Sequence, residues 1–463
     1  MTVAPALRHT AIPGLLVVDL AVHGDARGWF KENWQRAKMT EVGLPDFGPV
    51  QHSVAHNGPT GVTRGIHAEP WDKFVSIVQG KVFGAWVDLR AGATFGTVHT
   101  EELDEHTAVF VPRGIGNSYQ TLLPDTVYSY LVNAHWSPDA SYTMLNLADE
   151  SVAIPWPIPL EEARISDKDR VHPRLSDVVP VRPPRTLILG TGQLGRALAA
   201  ELPEAQVLSR ADLDLTDPAE VAALDLSGVD TVINAAAFTA VDRAETPQGR
   251  REAWAANATG VAALAAVVAR AGARLVHYSS DYVFDGTAEA AAEDEALAPL
   301  SVYGQSKAAG DLVVSVLPRH YLLRTAWVVG DGSNFVRTMQ RLARSGAEPT
   351  VVSDQIGRLT FADELARATL HLLRTNAPHG TYHLTNGGEP GSWADVATAV
   401  FAHEGRAGSA VRPVTTQEYA ASTGGAVAPR PARGVLDLAR IEATGFVPRD
   451  QWAALKDYLA TSP

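Results

Sequence analysis

The chain has 463 residues, 46% of them apolar and 20% charged, with a formal net charge of −13. That length suits two domains better than one core, and the acidic surplus argues against nucleic acid as a partner. The absence of cysteine excludes disulfides, thiol nucleophiles and thiolate-bound metals. No apolar run approaches the roughly 18–20 residues of a bilayer span, and no export signal is legible at the N-terminus. A cytoplasmic protein without membrane attachment is therefore expected.

From Thr10 to about Pro157 short strands alternate with Gly- and Pro-marked turns, among them Phe74–Val78, Val82–Asp88, Ala108–Pro112 and Val127–Val132. This texture predicts an all-β sandwich or barrel. His67, Lys73, Tyr130 and Asp167 supply a base, a cation, a phenol and a carboxylate, the set that proton transfer at carbon requires. His67 is followed by Ala68 and Glu69 rather than by a second histidine two residues on, so no metal site is expected. Ser176–Arg185 carries Pro180, Pro183 and Pro184 and reads as an extended spacer. The predicted division is an all-β domain over 1–175, a linker over 176–185 and a second domain over 186–463.

The second domain alternates strands and helices. Thr186–Leu189, Thr231–Asn234, Arg274–Ser279 and Tyr321–Trp327 read as buried strands, and Trp254–Ala271 as an alanine-rich helix. That order predicts a parallel sheet with helices on both faces. Gly190, Gly192 and Gly195 follow the first strand as G-T-G-Q-L-G, a loop that admits a pyrophosphate at a helix N-terminus. Where NAD-specific folds place an acid, this chain has Ser209 and Arg210, which favours the 2′-phosphate of NADPH over NADH. Tyr303 and Lys307 are four residues apart, so one helix face presents both. The lysine charge is expected to lower the phenol's pKa, with the Ser280 hydroxyl beside it.

These motifs carry two resemblances. Asp25-Ala-Arg-Gly-Trp-Phe-Lys-Glu32, Gln51-His-Ser53, Gly61-Val-Thr-Arg-Gly-Ile-His67, Thr94-Phe-Gly96 and Ile165-Ser-Asp-Lys-Asp169 resemble the dTDP-4-dehydrorhamnose 3,5-epimerases. The resemblance implies a cupin jelly roll that needs no metal and dimerises through this domain. It further implies His67 as the base at C3 and C5, oriented by Asp167. Lys73 would stabilise the C4 enolate and Tyr130 return the proton. Arg27 and Arg64 would hold the diphosphate, and Glu32, Gln51 and Asn117 would line the substrate pocket. Three positions depart from the family: Asn117 stands for a histidine, Gly84 for an aspartate and Trp136 for a tyrosine.

Asn234-Ala-Ala-Ala-Phe-Thr-Ala-Val-Asp-Arg-Ala-Glu245, His277-Tyr-Ser-Ser-Asp-Tyr-Val-Phe-Asp-Gly286, Tyr303-Gly-Gln-Ser-Lys307 and Arg324-Thr-Ala-Trp327 resemble the dTDP-4-dehydrorhamnose reductases of the extended short-chain dehydrogenase family. This implies a doubly wound Rossmann sheet with a small C-terminal substrate-binding subdomain. Ser280, Tyr303 and Lys307 would form the catalytic triad. Gly190, Gly192, Gln193, Leu194, Gly195, Arg210, Asp214, Asn234, Ala235 and Ala236, with Tyr303 and Lys307, would bind NADPH. Asp281, Tyr282, Trp327 and Arg430 would meet the sugar. Ser280 replaces the family's threonine, Val329 a tyrosine and Gly434 a serine.

The two resemblances together imply a bifunctional enzyme making dTDP-L-rhamnose from a dTDP-4-keto sugar. Two alternatives are a related deoxysugar pathway with inversion at one centre, and a reductase carrying a non-catalytic, nucleotide-sugar-binding cupin.

Overall fold

The computed structural model describes residues 5–45, 47–138, 140–183, 185–423 and 427–461. The chain divides into two compact units, Met1–Pro183 with Arg374–Ala377, and Pro184–Leu373 with Pro378–Pro463.

The first unit contains two antiparallel sheets. One runs Ala6–His9, Leu16–Asp19, Thr107–Val111, Lys73–Gln79, Thr126–Val132, Gln51–Asn57; the other runs Thr143–Met144, Thr63–Ala68, Ile115–Thr121, Val82–Asp88, Val98–Leu103. Both sheets contribute to one buried cluster, with Val17, Val75, Ile77 and Val109 from the first meeting Trp86 and Tyr119 from the second. The sheets therefore pack face to face, as strands with one apolar face require. The expected strands are present within a residue or two of their predicted ends. The proline-rich spacer differs from expectation. Val181 exchanges backbone hydrogen bonds with Leu89 and Ala91 at 2.7 Å each, because its extended chain can pair with neighbouring backbone. As far as Pro183 this stretch belongs to the first unit.

The second unit is built on a six-stranded parallel sheet, ordered Gln206–Leu208, Arg185–Leu189, Val229–Asn234, Arg274–Ser280, His320–Thr325, Gly380–His383. The order reverses between Arg185–Leu189 and Val229–Asn234, and parallel sheets hold ligands beyond the carboxyl ends of strands at such a point. Leu187, Val232, Leu264, Val268 and Leu322 belong to the core that covers one face of the sheet. A separate apolar cluster gathers Val336, Met339, Val400, Phe401 and Leu455.

The predicted helix over Trp254–Ala271 is one part of a longer helical run. It comprises Pro247–Trp254, a π-turn at Ala255–Thr259 and Gly260–Ala271. By length and composition Pro247–Ala271 meets the minimum for crossing a bilayer, which the sequence reading did not find in any run; half of its apolar window is buried. Val261, Leu264, Val267 and Val268 on it are core residues, the pattern of a helix inside a globular unit. Strand prediction also overran at Trp327, which lies beyond the strand His320–Thr325 with φ +44°.

Candidate active sites

In the first unit His67 meets an unexpected carboxylate. His67 sits on the strand Thr63–Ala68, and its Nε2 lies 3.0 Å from Oδ1 of Asp169. Asp167, expected in that role, is exposed at the first position of the short helix Asp167–Arg170. The reason is local. Ser166 caps this helix by accepting from the Asp169 N–H at 3.1 Å, and two residues on a helix differ by about 200°. The turn that buries Asp169 therefore points Asp167 at solvent. An ionised carboxylate only accepts, so Nε2 of His67 carries the hydrogen and Nδ1 is the basic nitrogen. Burial raises the Asp169 carboxyl, but the hydrogen bond and charge of His67 hold it below the usual carboxylate value.

Lys73 is buried, with Nζ 4.7 Å from the centre of the Tyr130 ring. It also pairs with Glu69, which accepts from Nε1 of Trp71 at 3.1 Å. Glu69 was not singled out in the sequence, although its position four residues before Lys73 was a visible signal. Asn117 faces His67 across the sheet and accepts from Nε1 of Trp86 at 2.9 Å and from the Tyr128 hydroxyl at 3.2 Å. Tyr128 in turn lies 6.2 Å from Tyr130, ring to ring. His67, Asn117, Tyr128, Tyr130 and Lys73 thus form one run of neighbours. The Gly84 departure has a packing cause: a β-carbon there would meet the Trp86 ring at 2.3 Å.

Other expected binding residues stand apart. Arg27 is nine-tenths exposed and pairs with Asp25; Glu32 pairs with Lys38. Among the described residues their hydrogen bonds are with Asp25 and Lys38, and none is with His67. Arg64 donates to Asn57 at 3.2 Å, and Gln51 accepts from the Trp136 backbone at 3.0 Å. Trp136 itself is mostly exposed.

In the second unit Gly192 caps the helix Gln193–Glu201 directly after the first strand. The glycines divide the work. Gly190, at φ +103°, would bring a β-carbon to 3.0 Å from the Ala236 nitrogen, and Gly195 would bring one to 2.0 Å from the Gly190 oxygen. Gly192 faces open space, with nothing within 4 Å. Gln193 has one buried amide oxygen without a hydrogen-bond partner among the described residues, and Leu194 is half-buried beside it. The loop opens into a cavity of about 700 Å³ lined by Ser209, Arg210, Asp214, Ala236, Arg243 and Arg251, among others. Arg210 also pairs with Asp214 at 3.2 Å. An open glycine at a helix N-terminus and three guanidinium groups fit a phosphorylated dinucleotide. Asn234 and Ala235 lie outside the cavity lining, just before it: the Ala235 N–H donates to the Leu189 carbonyl at 2.9 Å, and the Asn234 side chain reaches His277 at 3.1 Å.

Tyr303 and Lys307 share the helix Val302–Ser315, whose start is fixed by Ser301 and by Glu245 accepting from the Val302 N–H at 2.8 Å. Lys307 donates to the Tyr278 carbonyl at 2.5 Å and lies 3.4 Å from Nε2 of His277. Burial lowers Lys307 to about 8, opposed by Asp311. The phenol does not follow expectation. Burial and then the Asp281 charge push Tyr303 up, with a Ser280 hydrogen bond working against them. Lys307 is not among the groups that shift the phenol, and its ammonium is turned to the Tyr278 carbonyl. Ser280 ends its strand as expected and donates to Asp281 at 2.9 Å. Burial raises Asp281 to about 7. Tyr282 packs edge-on to Tyr303 at 5.7 Å, and Arg430 pairs with Asp242 at 2.9 Å.

Trp327 stacks on Trp393 at 3.7 Å. Val329 is buried in an apolar cluster and belongs to packing. Gly434 has no room for the family's serine, since a β-carbon would meet Asp281 at 2.3 Å. His277, Asp242 and Asn257 are contributors that sequence reasoning passed over. Asn257, on the π-turn, binds both backbone groups of Phe238 and the Ser306 hydroxyl. The first two lay inside quoted motifs; only the π-turn, a feature frequent at functional sites, would have marked Asn257.

A β-rich unit with a His–Asp contact beside a buried lysine, joined to a parallel-sheet unit with a dinucleotide loop and a Tyr and a Lys on one helix, defines an epimerase–reductase type of enzyme. The comparisons agree. The dTDP-4-dehydrorhamnose 3,5-epimerase family matches residues 9–177, and the family described as RmlD substrate binding domain matches residues 185–462. The chain belongs to both families, each over its own half. It is 48% identical over 179 residues to the "Protein RmlC homolog" of Streptococcus pyogenes, covering 37% of this chain and 90% of that one. It is 38% identical over 299 residues to the dTDP-4-dehydrorhamnose reductase of Aggregatibacter actinomycetemcomitans, covering 60% and 98%. The crystal structure of a dTDP-4-dehydrorhamnose reductase from Bacillus anthracis in complex with NADP matches with a TM-score of 0.55 at 33% identity, covering 60% and 99%.

Proposed function

We infer that the chain converts dTDP-4-dehydro-6-deoxy-D-glucose to dTDP-L-rhamnose in two steps, 3,5-epimerisation in residues 1–175 and NADPH-dependent reduction in residues 186–463. The observation that supports this reading is that each unit carries acid–base contacts of its own, His67 with Asp169 and Lys73 with Tyr130 in one, Ser280 with Tyr303, on the helix that also carries Lys307, in the other.

A C4 ketone acidifies the hydrogens at C3 and C5. His67 Nδ1 removes each proton while Asp169 holds the ring and stabilises its charged form. Lys73 offsets the negative charge developing on the C4 oxygen. Tyr130 returns the proton from the other face. Arg27, Glu32, Gln51, Arg64 and Asn117 are assigned to substrate. This chemistry needs no metal.

In the second unit the glycine loop holds the pyrophosphate, and Arg210 with its neighbours holds the 2′-phosphate. When bound, the dihydronicotinamide supplies the hydride. Ser280 and Tyr303 hold the C4 oxygen, Tyr303 donates the proton that makes it a hydroxyl, and Lys307 supports that donation. Asp281, Tyr282, Trp327 and Arg430 orient the sugar. NADPH is preferred to NADH.

We read the first unit as a cupin jelly roll and the second as a doubly wound Rossmann fold whose C-terminal cluster is the substrate subdomain. The protein is assigned to the cytoplasm, and to a homodimer formed through the first unit, where Trp29 and Phe30 are exposed. Asn117 opposite His67 favours one alternative, inversion at a single centre. The test is to run the full chain in D2O on the 4-keto sugar with NADPH and analyse the product. Two deuterons support double inversion, one supports the alternative, and none overturns epimerisation.

A further inference from the structure

His172 has no part in the mechanism above, yet it completes a cluster. One ligand atom each from His67, Asp169 and His172 lies within 4.8 Å of the others. His172 Nε2 is 3.7 Å from Oδ1 of Asp169, the same oxygen that is 3.0 Å from His67 Nε2. The two imidazoles meet edge to face, centres 5.4 Å apart. The His172 side chain is only 6% exposed, and neither of its ring nitrogens has a hydrogen-bond partner among the described residues. Its near polar neighbours are the Asp169 carboxylate at 3.7 Å and the Leu145 backbone, so a buried imidazole is held beside a carboxylate with a nitrogen lone pair to offer. Its position is fixed from behind, because the Asn146 side chain donates to the carbonyls of Arg170 and His172 at 3.1 and 3.0 Å.

We propose that His67, Asp169 and His172 form a binding site for a divalent transition-metal ion of the zinc type, and that its occupation switches off the epimerase. Two imidazole nitrogens and one carboxylate oxygen are a ligand set zinc takes, with a fourth position left for water. Magnesium and calcium prefer all-oxygen sites, so they are poor occupants. The His67 side chain is one-third exposed, which gives the ion a way in. An ion on Nε2 replaces the Asp169 hydrogen bond and draws electron density from the ring, so Nδ1 loses the basicity needed at C3 and C5. The second unit keeps its activity. The switching half of the proposal rests on the assignment of His67 as base; the binding half does not.

The experiment uses the full chain with Co2+ as a visible probe and Zn2+ as the inhibitor. One equivalent of Co2+ should give the absorption of a four- or five-coordinate ion. Zn2+ should suppress solvent deuterium exchange into the 4-keto sugar, a chelator should restore it, and reduction of supplied epimerised ketone should be unchanged. Mg2+ should do none of this. His172→Phe, which fills the same space, should weaken Co2+ binding by more than the roughly 10–100-fold typical of losing a mere supporting residue, and His67→Asn should do likewise. An unchanged Co2+ spectrum and affinity in His172→Phe overturns the site. Binding without loss of exchange overturns the switch. If His67→Asn still exchanges deuterium, the base assignment has failed, while the Co2+ measurement still decides the site.

Discussion

Asp169 Oδ1 lies 3.0 Å from Nε2 of His67, and that contact leaves Nδ1 as the nitrogen free to act in the proposed base role. Asp167, two residues earlier, is exposed. Asp169→Asn should therefore slow deuterium exchange by roughly 10²–10⁴-fold, the range for a positioned acid–base group. Asp167→Asn should stay within about twofold, as a surface change does. Exchange rates followed by proton spectra separate the two, and equal effects would mean that the contact has no role.

The Lys73 ammonium over the Tyr130 ring predicts a second loss. Lys73→Met should lower exchange by about 10²–10³-fold, as removal of one group that stabilises a developing oxyanion does. The same change leaves the Glu69 carboxylate without its cation. The double variant with Glu69→Gln should therefore recover stability but not exchange, measured by thermal unfolding and by rate.

Asp281 gives a pH dependence with a definite sign. Burial raises its carboxyl to about 7, against about 4 in an unfolded chain. The folded chain holds an extra proton between those values, so stability falls as pH rises from about 4 to 7. The loss approaches about 4 kcal/mol by pH 8. Asp281→Asn, permanently neutral, should flatten this slope in the second unit's unfolding transition. A variant as pH-dependent as the wild type would remove Asp281 from the account.

Gly434 tests how tightly that carboxylate is held. A β-carbon there would meet Asp281 at 2.3 Å, so Gly434→Ser should destabilise the second unit by about 1–3 kcal/mol, as overpacking does. It should also slow reduction, while deuterium exchange in the first unit stays at the wild-type rate.

The residues legible in the sequence were those whose spacing on one regular element defines their geometry. Tyr303 and Lys307 share a helix face, Ser280 ends a strand, and the glycines follow one; His67, Lys73 and Tyr130 came with ordered motifs on strands. What escaped depends on how separate elements meet. Choosing Asp169 over Asp167 required the rotation of a four-residue helix, although Ser166 with an acid three residues on is a capping pattern that sets it. His172 and Asn257 act across 105 and 49 residues of sequence, toward His67 and Ser306. The rise in the Tyr303 phenol was not legible because helical spacing shows a shared face but neither the burial and Asp281 charge that raise it nor the turn of Lys307 toward the Tyr278 carbonyl.

The most direct measurement is product analysis from dTDP-4-dehydro-6-deoxyglucose and NADPH in D2O with Tyr303→Phe and His67→Asn variants of the full chain. Tyr303→Phe should accumulate a 4-keto sugar carrying solvent deuterium at C3 and C5, and His67→Asn should reduce only ketone that has already been epimerised. A Tyr303→Phe enzyme that still forms dTDP-L-rhamnose at the wild-type rate, or a His67→Asn enzyme that still incorporates deuterium, would contradict the assignment of the two steps to these two sites.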